Sequence, residues 1–414
     1  MLDKDLYLIV PILIEQPTWG GSYIPKLKGI TREPLLSGIR IGQSYELAGV
    51  SRVIPCSQFF AMSRPDEQGS YVAPPVYEVH LRRSRESQLS DTAIPSLPLH
   101  DLLVQHPIEI LGKSIARRFG TSMPALIKYT QALGNSFQLH VKETEESTTH
   151  WLSKPETWFF LEPGSITLGV KPGCNWQAYE KACREIATGM ELLSKHAMKG
   201  SLTPVQARGE ADRMVLAHNP WQFVNCLRVD SGTIIDPSAG GIHHSWEEDA
   251  NCPLGNILYE VQRDRSDSVS TIRSFDKGKF NPDGSVRSVQ IDDYFKYIDR
   301  SEDANSPKNL MGQAQLIRKD TGGRVSKLFE TAYYRSDMIF LSDRMAPWLE
   351  HTDESFHHIF VKEGAIQIGI EGSDKTVGVR EGWSVFVPAQ VGAYHLRGHG
   401  GTKAEVIKTY IPKS

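Results

Sequence analysis

The chain has 414 residues, long enough for two or three domains that each bury a core. Its 40% hydrophobic and 23% charged residues exclude a disordered or fibrous chain, and a formal net charge of −3 gives no reason to expect nucleic acid or an anionic membrane as partner. Cys56, Cys174, Cys183, Cys226 and Cys252 are odd in number and include no C-x-x-C pair, so they read as reduced thiols of a cytoplasmic protein.

Residues 6–14 are apolar, with Pro11 inside the run and no basic leader, which predicts a first strand rather than a signal peptide. Residues 52–98 are rich in Ser, Pro and Arg and read as a long surface excursion. Residues 97–119 read as helical with a break at Pro107. Residues 137–143 alternate: Phe137, Leu139 and Val141 are apolar, whereas Gln138, His140 and Lys142 are polar. Runs at 157–161, 257–261 and 271–275 are rich in β-branched and aromatic residues, as strands are. Between them, Trp176, Tyr179, Cys183, Ile186, Met190 and Leu193 step by three or four and predict an amphipathic helix that ends near Gly200. Residues 300–308 are polar and read as a linker. Beyond them Ile366, Ile368 and Ile370, and later Trp383, Val385 and Val387, again alternate. Many short strands between Gly, Pro and Asp turns point to a mainly β chain of sandwiches or jelly rolls, and no stretch approaches the roughly 20 apolar residues of a membrane span.

The chemistry begins at Gln138 and His140. Residues two apart on a strand share a face, so this pair is able to chelate one ion. Glu156 opens the apolar strand at 157–161, where a buried acid needs a partner. His243 closes the segment from Gly232 through Gly240 and Gly241, whose glycine-to-histidine spacing is that of the second cupin motif, with Ser238 at the usual proline position. Two imidazoles, a carboxylate and an amide oxygen suit a borderline divalent ion, zinc above others, with a position open to substrate.

Eight pieces in order along the chain carry a resemblance. They are Thr18-Trp19-Gly20-Gly21, 42–47, 124–128, Ser136-Phe137-Gln138-Leu139-His140, Lys154-Pro155-Glu156-Thr157-Trp158, 161–164, 238–243 and Ile272-Arg273-Ser274-Phe275-Asp276. This ordered set resembles the type I phosphomannose isomerases (mannose-6-phosphate isomerases) in their shorter bacterial form. The resemblance implies cupin-like jelly-roll barrels with a helical insertion. The catalytic domain would span 1–300, with inserted helices around 97–119 and 175–218, and a C-terminal cupin-like domain without metal would span 309–414. It also implies one zinc ion per chain on Gln138, His140, Glu156 and His243, and the interconversion of D-mannose 6-phosphate and D-fructose 6-phosphate. Arg273 matches the family's active-site arginine, and Lys154 a lysine whose pKa beside a cation would fall toward neutrality. Asp267 matches a family acid if about two extra residues are allowed, with Asp264 as its rival. Ser136 and Lys128 match residues of the sugar-phosphate pocket, and Trp19 and Glu46 match supporting positions.

Departures lie beside the site. Val141-Lys142 follows His140 where the family has Pro-Asp, Ser274-Phe275-Asp276-Lys277 replaces an aromatic ending, and Ser238 is expected to loosen the His243 loop. In the C-terminal part, 382–388 begins like the second cupin motif, but Ala393 stands at the histidine position and no later ligand completes a set with His357-His358, so a barrel without metal is expected, used for packing or for walling the first. Two other readings keep the metal: an isomerase of another sugar phosphate, and a non-catalytic carbohydrate-binding cupin.

Overall fold

The computed structural model describes residues 3–30, 38–62, 64–67, 69–72, 76–81, 87–89, 95–342, 346–352 and 354–413. The fold is mainly β. Two barrels each pair a nine-stranded with a five-stranded sheet.

The apolar run at 6–14 divides at Pro11, which has no N–H for a ladder bond. β1 (Tyr7–Val10) goes to the second barrel and β2 (Ile12–Glu15) to the first. The first barrel continues with β3 (Ile41–Leu47), β4 (Ala125–Ala132), β5 (Phe137–Leu139), β6 (Glu156–Phe160) and β7 (Gly164–Val170). Two inserted helices follow, α1 (Trp176–Met198) and α2 (Pro204–His218). Asn175 caps α1 by accepting from the Ala178 N–H at 3.0 Å. The helix buries Tyr179, Cys183, Ile186 and Met190, the stripe read from their spacing. Thr203 and Gln206 form a capping box at the start of α2, with Pro204 in its first turn. The barrel closes with β8 (Val224–Val229), β9 (His244–Trp246), β10 (Asn256–Arg263), β11 (Ile272–Phe275) and a short helix, α3 (Ile291–Tyr297), on its outer side.

β10 shows how one strand serves two cores. Its Ile257, Tyr259 and Val261 pack between the barrels with Phe360, Phe386 and Ile407, whereas Leu258 faces the first lumen beside Trp158 and Trp246. The second barrel uses β12 (Arg335–Leu341), β13 (His357–Glu363), β14 (Ser384–Val387) and β15 (Ala404–Tyr410). Polar links cross the seam. Lys28 Nζ meets Glu46 Oε1 at 2.7 Å with both side chains buried, Ser384 donates to Glu46 at 2.8 Å, and Tyr259 OH lies 3.1 Å from His358 Nδ1.

Two expectations are corrected. The described parts of 52–98 are not a surface excursion: Arg52–Pro55 pairs with β1, Ser70–Val72 runs parallel to Thr376–Arg380, and Val53, Ile54, Phe59 and Tyr77 are buried. These strands are too short to show a period, and Ser70–Val72 pairs with a strand that begins only at Thr376. Residues 63, 68, 73–75, 82–86 and 90–94 of that stretch lie outside the described residues. The segment 300–308 is not a free linker either. Asn305 is buried and its side-chain oxygen accepts from the Val170 N–H at 2.9 Å.

Candidate metal centre and active-site cleft

The site forms where the two sheets of the first barrel face each other. On the five-stranded side, Gln138 of β5 stands in register between His244 of β9 and Arg273 of β11. On the other side, Glu156 lies opposite Gln262, Trp158 opposite Glu260, and Glu260 opposite Lys128. The cleft between them is lined by Gln138, Lys154, Glu156, Asp267, Arg273 and Arg287, with Lys128 and Glu260 also in its wall.

His140, Glu156 and His244 converge, each offering a ligand atom within 4.8 Å of the others. His140 Nε2 is 3.7 Å from Glu156 Oε2, and His244 Nε2 is 3.7 Å from Glu156 Oε1, both too long for hydrogen bonds. Both Nε2 atoms are buried and have no hydrogen-bond partner. The opposite ring nitrogens are held by backbone carbonyls, His140 Nδ1 by Ser270 O at 2.6 Å and His244 Nδ1 by Ile242 O at 3.2 Å. A carbonyl at Nδ1 fixes the tautomer with its proton there, and the Nε2 lone pair is turned toward the carboxylate. That is how imidazole ligands are presented to a metal. Burial pushes both imidazoles to lower pKa, His244 to about 3, which keeps them neutral as ligation requires. Gln138 lines the same cleft, and its amide nitrogen donates to Ser136 Oγ at 3.1 Å, so its oxygen is the atom that remains for a ligand. This donor set fits zinc.

His243 is not in this group. The structure turns it to the opposite face of the strand, where it is buried against Phe137 at 4.4 Å between ring centroids. Its Nδ1 is bonded to Tyr294 OH of α3, and its Nε2 lies 3.3 Å from Thr167 Oγ1. The structure therefore brings His244, and not the expected His243, to this group. The glycine spacing brings both histidines of the doublet near the lumen. Strand alternation then decides between them, and Trp246, which shares the lumen face with His244, was the sequence signal available. Nor does Ser238 leave the turn loose. Asp236 Oδ1 accepts from the Ser238 N–H at 3.1 Å. Gly240 adopts φ +74°, and a Cβ there would lie 2.8 Å from Val141 O.

Lys154 Nζ is 3.2 Å from Glu156 Oε2 and 2.9 Å from Asp267 Oδ1. Burial alone would lower its pKa, but Asp267 and Glu156 outweigh that and raise it. Flanked by these two carboxylates, Lys154 is held toward its charged form. Burial pushes Glu156 upward, yet Lys154 and the two imidazoles hold it well below the usual carboxylate range. Asp264 is the discarded rival, since its carboxylate accepts from the Gly49 N–H at 2.7 Å.

Of the two residues expected in the sugar-phosphate pocket, Lys128 lines the cleft and Ser136 does not. Lys128 Nζ is tied to Glu260 Oε1 at 3.0 Å and Gln262 Oε1 at 2.9 Å, on the cleft floor. Ser136 is buried behind Gln138 and is not part of the cleft wall. Arg287, missed in the sequence because it sits in an irregular loop, joins Arg273 in the wall, 3.5 Å from Asp276 Oδ1. Glu260 was hidden inside an apolar run.

No protein-family profile and no curated protein matches the sequence. Solved structures do match in fold. The mannose 6-phosphate isomerase of Bacillus subtilis superposes with a TM-score of 0.64 at 14% identity, covering 98% of this chain and 99% of that one. A zinc-bound mannose 6-phosphate isomerase gives 0.62 at 14% identity, over 99% and 100% of the two chains. The Salmonella typhimurium enzyme bound to fructose 6-phosphate and zinc gives 0.61 at 13% identity, also over 99% and 100%.

Proposed function

We propose that this cleft interconverts D-mannose 6-phosphate and D-fructose 6-phosphate, with one zinc ion held by Gln138, His140, Glu156 and His244. The observation that carries the proposal is the pair of buried, unpartnered imidazole nitrogens aimed at Glu156 beside a cleft of lysine, aspartate and arginine. The fold shared with zinc-bound mannose 6-phosphate isomerases supports the choice of substrate.

Aldose–ketose exchange moves a proton from C2 to C1 through an enediol, and negative charge develops on oxygen as the C–H bond breaks. When bound, zinc supplies a Lewis acid that stabilises this charge. Arg273, a permanent cation in the wall, offers the developing oxyanion a second positive group. Lys154, held charged by Asp267, is a donor to substrate oxygen rather than a free amine. Asp267 orients it and sits at the mouth, with 57% of its side chain exposed. Arg287 takes the phosphate role first given to Lys128 and Ser136. Its side chain lines the cleft, and a planar guanidinium matches a phosphate bidentately. Five free cysteines suit a reducing, cytoplasmic setting.

The test is conversion of mannose 6-phosphate by the purified, zinc-loaded protein, abolished by chelator and restored by zinc. A zinc-loaded protein that binds the sugar phosphate without turning it over would overturn the reading.

A further inference from the structure

One end of the cleft is used neither by the metal group nor by the charged residues. Gln16, Trp19, Gln43, Asn135 and Trp246 line it, and none of the five carries a charge. An aromatic wall leads there from the metal group. Trp158 follows Glu156 by two residues on β6, and Trp246 follows His244 by two on β9, so each shares a strand face with a residue of that group. The indole N–H of Trp158 is committed, donating to Glu156 Oε1 at 2.9 Å. Trp246 packs against Trp158 at 5.3 Å between ring centroids, and Trp19 against Trp246 at 5.9 Å.

The indole nitrogens of Trp19 and Trp246 and the side-chain oxygen of Gln16 are buried and have no hydrogen-bond partner in the protein. Their backbones are held by other bonds. Asn135 Oδ1 accepts from the Trp246 N–H at 2.6 Å, and Gln16 O accepts from the Gly20 N–H at 2.8 Å. Gly42 leaves the room in which the two side chains stand, since a Cβ there would lie 2.5 Å from both Gln16 Cγ and Trp19 Cζ3. Folded proteins seldom leave buried polar atoms unpaired, and here two donors and one acceptor are left so at one end of a cleft.

We propose that Gln16 and Trp246, with Trp19, bind hydroxyls of the sugar chain and set a preference for a polyhydroxy substrate, while the phosphate lies among the cleft's cations. The donor and acceptor set selects the group. A hydroxyl accepts from an indole N–H and donates to an amide oxygen at once. A phosphate brings a charge of about −1.5 to −2 and mainly acceptor oxygens, which the Gln16 oxygen repels. A site built to hydrogen-bond a hydroxyl also rejects an analogue without it, because its own buried groups are then left unpaired. The subsite rests on the reading of the substrate as a sugar phosphate; its test does not require turnover.

The experiment titrates D-mannitol 1-phosphate and inorganic phosphate into the zinc-loaded full chain by ligand-observed NMR, with wild type, Trp246→Phe and Gln16→Leu. Neither probe has a carbonyl, so neither is turned over. Trp246→Phe keeps a ring in the wall and Gln16→Leu keeps a side chain of similar volume, so each removes chiefly the polar atoms. Each is expected to weaken the polyol phosphate about tenfold, the effect of one lost hydrogen bond, and to leave inorganic phosphate unchanged within about twofold. Circular dichroism and zinc analysis check that each variant is folded and loaded, and either variant decides the matter if the other does not fold. No saturable binding of the polyol phosphate to wild type, equal binding to every folded variant, or a loss that inorganic phosphate shares equally would overturn the subsite. Turnover of mannose 6-phosphate alongside unaltered polyol binding in the variants sinks the subsite and leaves the isomerase reading. Variant-sensitive polyol binding without any turnover does the reverse.

Discussion

The two barrels repeat one architecture and differ in what their histidines meet. In the first, His140 and His244 come from neighbouring strands of one sheet, each held at Nδ1 by a carbonyl and each presenting a buried Nε2 toward Glu156. In the second, His357 and His358 are adjacent on β13 and so point to opposite faces. His357 Nδ1 meets Tyr394 OH at 2.8 Å, whereas His358 leaves the lumen for the seam and meets Tyr259. His358 Nε2 is also buried without a hydrogen bond, so an orphaned imidazole alone does not make a metal site. Convergence does: a second imidazole and a carboxylate must reach the same point. The charged residues divide in the same way. Lys154 is paired to a carboxylate at the open mouth of a cleft, whereas Lys408, 2.7 Å from Glu350 and 3.7 Å from Asp337, completes a network of the second barrel.

The largest test of this contrast is metal content. His244→Ala is expected to lower zinc affinity by more than the roughly 10–100-fold typical of outer-shell changes, and to abolish turnover. Metal analysis of the dialysed protein measures it. His243→Ala and His357→Ala are expected to keep one zinc per chain, with His243→Ala costing about 2–4 kcal/mol of stability through its lost packing and hydrogen bond. If His243→Ala empties the site and His244→Ala does not, the ligand returns to His243.

The seam between the barrels comes next. Glu46→Gln leaves the Lys28 ammonium buried without its counter-charge, and is expected to cost about 3–5 kcal/mol in urea unfolding with zinc content unchanged. A cost within 1 kcal/mol would show the pair to be dispensable. Within the cleft, Asp267→Asn is expected to lower kcat about 100-fold while zinc stays bound, because it removes the group that orients Lys154. Equal losses of kcat and zinc would make Asp267 a part of the metal site instead.

The last contrast is the titration of the second barrel. Burial holds His358 at a pKa of about 3, against 6.5 for an exposed imidazole. Between those values the unfolded chain carries the proton and the folded one does not. Stability therefore rises with pH across that window and is lost as pH falls through it, by up to about 1.4 kcal/mol per unit for this group. His358→Gln is expected to flatten the slope of unfolding free energy between pH 6.5 and 3. An unchanged slope would assign the acid sensitivity elsewhere.

Alternation along a strand is written in the sequence. It put Gln138 and His140 on one face and made Glu156 a buried acid in need of a partner. The 3.6-residue stripe of α1 was equally plain, because both patterns are local. Three things needed the tertiary structure. The His243-His244 doublet offers two imidazoles one residue apart, and only the pairing of β9 with β5 and β7 says which faces the lumen. Pro11 marks a break, but only long-range pairing sends β1 and β2 to different barrels. Lys154 finds its carboxylate partner in Asp267, 113 residues away in the chain and 2.9 Å away in space. A side chain's period is fixed by its own backbone. Its partner, and with it its charge and its chemistry, is fixed by whatever the fold brings alongside.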